Sequence, residues 1–85
     1  MNVRNMKTAR GNDAANQFEI WDSEGCTFQS YSSKIARIDN SGVTLFYPHW
    51  DFYSATTNRY LLRFLNEDSI KTVREKVASG EYRVN

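Results

Sequence analysis

Cysteine, proline and histidine each occur once in this chain of 85 residues, as Cys26, Pro48 and His49. A single cysteine excludes an intramolecular disulfide, and a small fold without covalent staples suits a reducing compartment. One cysteine and one histidine fall short of the ligand set that a zinc site needs. The four glycines are scattered, so no phosphate-cradling loop is present. Charge of one sign is also lacking: the net charge is +1, which argues against a strongly phosphate-driven nucleic-acid binder and equally against an acidic DNA mimic. There is no long apolar run, so neither a signal peptide nor a transmembrane span is expected, and the reading is of a protein of the cytoplasm.

Aromatic residues are what the chain has in quantity. Phe46 to Leu65 carries Phe46, Tyr47, Trp50, Phe52, Tyr53, Tyr60 and Phe64. A domain of this length buries only about 60–65 % of its unfolded surface. Large rings compensate, since each buries about 150–250 Å². The segment therefore has to serve as core, as binding surface, or as both.

The order of elements is read from hydrophobic period and turn chemistry. Residues 1–16 are polar, basic through Arg4, Lys7 and Arg10, and without a period; they read as a flexible arm ahead of a single domain over 17–85. Phe18 to Trp21 alternates as a strand. Asp22-Ser23-Glu24-Gly25 and Asp39-Asn40-Ser41-Gly42 share an Asp-x-x-Gly turn pattern. Between them, Cys26 to Ile38 reads as a strand region broken at its serine-rich centre, Ser30 to Ser33, by a bulge or bend. Val43 to Tyr47 forms the next strand, which Pro48 ends. Ser54 or Thr56 caps a helix with Tyr60, Leu61, Phe64 and Leu65 on its apolar face. Asp68 can cap a second helix with the face Ile70, Val73 and Val77, closed by Gly80. Residues 81–85 are either a last strand or a docked tail. The expected fold is α+β: a three-stranded antiparallel meander packed against one or two C-terminal helices.

Catalysis finds little support in these residues. His49 would have to be the base of any triad, with Asp51 orienting it, and His-x-Asp alone implies no third member. Cys26 would need a neighbouring base or cation to become nucleophilic. The expectation is a non-enzymatic protein without cofactor or metal. Binding is the better class, and its candidate residues are Tyr31 in the serine-rich bend, His49, Trp50 and Tyr53 in the aromatic loop, and Arg59 and Arg63 on the helix flank. Loop aromatics anchor protein interfaces. Beside arginine they also stack on unpaired bases. Trp50 and Phe52 have a competing role as plugs for the open end of the core.

Ser30-Tyr31-Ser32-Ser33-Lys34-Ile35-Ala36, Trp50-Asp51 and Ser54-x-Thr56-Thr57-x-x-Tyr60-Leu61-x-x-Phe64-Leu65 together resemble a family of small bacteriophage-encoded proteins of unknown function. This chain departs from the family pattern by one additional residue between Trp50 and Ser54, which leaves open whether Phe52 or Tyr53 takes the place of the family tyrosine. The resemblance implies a viral accessory protein in the host cytoplasm and supplies no activity. With the aromatic loop, it points to a protein that binds a host or viral protein, as an inhibitor of host machinery or of a defence system. The alternatives are a weak single-stranded nucleic-acid binder, using sheet or loop aromatics with Arg59, Arg63 and the basic N-terminal arm, and a homo-oligomeric assembly protein.

Overall fold

The two Asp-x-x-Gly segments turn the chain as their chemistry requires. Oδ1 of Asp22 accepts from the backbone N–H groups of Glu24 and Gly25 at 2.9 Å each. Oδ1 of Asp39 accepts from that of Ser41 at 2.8 Å. Gly42 takes a positive φ of 108°. Gly25 does not; a Cβ there would lie 2.2 Å from the Ile38 carbonyl oxygen, so close strand approach is what demands glycine.

The computed structural model describes residues 2–85. Its strands are β1 (Asn2–Lys7), β2 (Asp13–Trp21), β3 (Gly25–Ser30), β4 (Ser33–Asp39), β5 (Gly42–Leu45) and β6 (Tyr82–Val84). Helices α1 (Ala55–Leu65) and α2 (Ile70–Ala78) lie between β5 and β6. One sheet holds all six strands in chain order. β1 to β5 are antiparallel neighbours, and β6 returns after the helices to pair parallel with β5. The α+β class is as expected, with six strands in place of three.

The additional strands have identifiable origins. The serine-rich centre is a complete hairpin turn, Tyr31-Ser32, which makes β3 and β4 out of one expected strand region. A bulge follows in β4, where both Ile35 and Ala36 are fully buried. Residues 2–16, read from sequence as part of an arm, carry β1 and the start of β2; Met1 lies outside the described residues. Met6 and Ala14 are buried, and the Asn5 amide donates to the Ala14 carbonyl at 2.9 Å. Of the two readings of residues 81–85, the strand is the one observed.

Pairing fixes the faces. Glu19 and Trp21 stand opposite Phe28 and Cys26, so they lie on the helix side, and Phe18 and Ile20 lie on the other. The core between sheet and helices is built from Phe28, Ile35, Ala36, Leu45, Trp50, Tyr60, Leu61, Leu65 and Val73. Ser54 is the cap of α1, its Oγ accepting from the Thr57 N–H at 3.1 Å. Ser69, rather than Asp68, caps α2. Ser30 and Thr57 tie the sheet to α1 through a buried hydroxyl pair 2.7 Å apart. Tyr82 donates to Glu67, which also receives Lys76 at 2.6 Å, and this pinning holds β6 against the helices. No helix is long and apolar enough to cross a membrane among the described residues.

Candidate functional site

The aromatic loop follows β5. Its first turn is closed by the Trp50 N–H, which donates to the Phe46 carbonyl at 3.2 Å. That turn drives Trp50 into the core, where it is 8 % exposed. Trp50 therefore acts as the plug and does not join the candidate binding residues. Two residues on, Phe52 adopts the left-handed region with φ 59°. The backbone reverses there, and Phe52 and Tyr53 emerge 52 % and 50 % exposed, so Phe52, expected beside Trp50 as a plug, is turned out of the core instead. The His49 ring rests tilted against Tyr53, with centroids 4.3 Å apart. Asp51 is bound to Arg74 of α2 at 2.7 Å, so it is engaged away from the histidine.

Tyr31 reaches the same end of the molecule from the β3–β4 turn. Its φ of 56° is unusual for a residue with a side chain. Two hydrogen bonds hold it: its N–H donates to the Asn16 carbonyl at 2.7 Å, and its carbonyl accepts from the Gln29 amide at 2.9 Å. The ring itself is half exposed. Tyr31, Tyr53, Ser54, Ala55 and Thr56 line one open groove of about 560 Å³. Residues 22 positions apart in sequence thus share an aromatic tip at the N-terminal end of α1.

Arg59 and Arg63 continue along α1 from that tip. Together with Thr8, Arg10 and Asn12 of the β1–β2 turn and with Tyr60, they line a second groove of about 540 Å³. The Arg63 guanidinium sits 5.4 Å from the centre of the Tyr60 ring and donates to the Lys7 carbonyl. Arg63 also borders a third groove with Arg4, Lys7, Glu19 and Trp21. Of the residues singled out from sequence, Tyr31 and Tyr53 share one groove, with His49 against Tyr53, and Arg59 and Arg63 share another. The sequence reading had Arg10 only within a basic arm, with no fixed place, and missed Trp21, whose strand face only the pairing reveals.

Cys26 is buried, and burial pushes its thiol up to about 11, which keeps it protonated and unreactive near neutrality. Among the described residues, no group of three or more histidine, cysteine, aspartate or glutamate side chains converges as a metal site. The charged cluster on the open face is structural: Arg37 bridges Asp22 at 2.9 Å and Asp39 at 3.3 Å, and also donates to Thr27 at 3.0 Å. The Arg37 guanidinium holds the Asp22 carboxyl well below the usual carboxylate range.

Comparison with known proteins finds a family model, described as a family of unknown function (DUF8033), that matches residues 1–80. No curated protein and no solved structure matches the chain.

Proposed function

The chain belongs to the DUF8033 family, whose function is unknown, and from that premise we propose that it is a non-enzymatic protein that works by binding another protein. The observation that carries this reading is the aromatic tip. Tyr31, Phe52 and Tyr53 are half exposed at one end of a small domain, and two of the three sit on left-handed backbone that turns the ring outward. Left-handed backbone at a bulky residue costs about 1–2 kcal/mol, and such strain concentrates at functional positions. Exposed tyrosines backed by a rigid scaffold are favoured interface anchors, because they bring large area at little cost in side-chain entropy. The resemblance to small bacteriophage proteins supports a partner of host or viral origin, met in the host cytoplasm, with inhibition of host machinery as the role.

The test is affinity capture from cells expressing the wild-type chain beside the Tyr31→Ala/Tyr53→Ala variant. The reading expects a captured protein that the folded variant loses. An unchanged capture profile with an unchanged circular dichroism spectrum would refute it. Light scattering on the purified chain separates this reading from self-association, which would appear as a dimer that the same variant dissolves.

A further inference from the structure

Near-neutral net charge conceals an uneven distribution of free charge. Among the described residues, Arg4, Lys7, Arg37, Arg74 and Lys76 form ion pairs. Between them they engage Asp13, Glu19, Asp22, Asp39, Asp51, Glu67 and Glu81. Seven of the ten carboxylates are thus tied to five of the eleven cations, leaving six cations against Glu24, Asp68 and Glu75. Three of those six cations, Arg10, Arg59 and Arg63, line the single groove between the β1–β2 turn and α1. No carboxylate lines that groove.

We infer that this groove binds the sugar–phosphate backbone of a single-stranded nucleic acid. The guanidinium fork matches phosphate oxygens in a bidentate manner. Arg63 is already ordered by the Tyr60 ring and the Lys7 carbonyl, so less freedom is lost when it takes a phosphate. The track has length as well as charge. Thr56, Arg59 and Arg63 follow one another along the flank of α1, about 10 Å of helix axis at 1.5 Å per residue. At one end of this track stands the Tyr31–Tyr53 groove, and at the other the groove bordered by Trp21 and Arg63. Cations in the middle with exposed rings at both ends are the arrangement that holds an unpaired strand, its phosphates on arginine and its bases stacked. An acidic peptide satisfies the arginines and offers the flanking rings no planar partners. The inference shares the aromatic tip with the protein-binding reading and is carried by the arginine groove, which that reading does not use.

The test is fluorescence anisotropy of a labelled oligothymidine of about twelve nucleotides, titrated with the full chain from about 20 to 200 mM salt. With three phosphates neutralised, affinity falls about a hundredfold over that tenfold rise in salt. Arg59→Ala/Arg63→Ala removes about two thirds of the logarithmic salt slope, and Arg59→Lys/Arg63→Lys retains it. Arg10→Ala removes about one third and, lying off the helix, keeps the test decisive if the α1 variants fail to fold. Absence of binding at the lowest salt overturns the inference, as does a slope unchanged in both Arg59→Ala/Arg63→Ala and Arg10→Ala. Polyglutamate competing as strongly as unlabelled oligonucleotide also overturns it, by reassigning the groove to an acidic protein segment. Tyr31→Ala/Tyr53→Ala separates the two proposals: loss of the captured protein with the salt slope intact leaves this one standing alone.

Discussion

Trp50 and Tyr53 stand three residues apart in one aromatic loop and have opposite environments. Trp50 follows a closed turn into the core, and Tyr53 follows a left-handed residue out to solvent. Both side chains are large and mostly apolar, so hydrophobicity does not sort them. Backbone direction does. The Phe46–Trp50 turn and the reversal at Phe52 set which ring enters the core and which is left over. The aromatic density of this loop is therefore two populations, one that holds the fold and one available to a partner.

Substitutions break this contrast in a graded order. Trp50→Ala has the largest effect, a loss of about 3–5 kcal/mol in urea unfolding, because it empties a core position in a small domain. A loss under about 1 kcal/mol would mean that Trp50 is not the plug. Glu67→Ala comes next, at about 1–3 kcal/mol, since it takes the acceptor from the half-buried Tyr82 hydroxyl and leaves Lys76 only the longer pair with Glu81. The same residue predicts a pH dependence. Its bonds to Lys76 and then to Tyr82 lower the Glu67 pKa from the ordinary 4.5. A carboxyl whose folded pKa is lowered contributes stability above its unfolded value and loses it as pH falls toward the folded one. Stability should decline below about pH 4.5, and Glu67→Gln should flatten that part of the decline.

Two smaller effects sharpen the other side of the comparison. Phe52→Gly should gain about 0.5–1 kcal/mol by relieving the left-handed backbone, while any activity that uses the exposed ring declines. Tyr53→Ala should alter stability by no more than about 0.5 kcal/mol, measured by thermal unfolding. If Tyr53→Ala instead destabilises as Trp50→Ala does, the division of the loop into core and surface collapses.

The elements built on local chemistry could be read from sequence. Asp22 and Asp39 bond the backbone two and three residues ahead, so their turns were visible in the chain itself. The helical face Tyr60, Leu61 and Leu65 was visible for the same reason, as was the closure by Gly80. What escaped detection depended on distant partners. β1 has only Val3 and Met6 to declare itself, and it exists because β2 offers an edge. β6 is three residues long and becomes a strand by joining β5. Gln17, polar in a polar stretch, is fully buried with neither amide atom hydrogen-bonded, a placement that no local rule anticipates.

The candidate site follows the same division. Tyr31, Tyr53, Arg59 and Arg63 could be named because rings in turns and arginines on a helix flank are recognisable one at a time. Their meeting with Arg10 could not be named, because it requires the β1–β2 hairpin to fold back beside α1. The charge bookkeeping was hidden for a related reason: ion pairs such as Arg37–Asp22 and Arg74–Asp51 join residues 15 and 23 positions apart.

The parallel pairing of β6 has a consequence for how the chain is made. Strands β1 to β5 are joined by short turns and can assemble as they leave the ribosome, in step with synthesis. The strand that covers β5 arrives only after both helices have been synthesised. Until then, the Val43–Leu45 edge presents unpaired backbone and apolar side chains to any neighbouring chain. The nascent protein is most prone to aggregate in that interval, and slow translation through the helices would lengthen it.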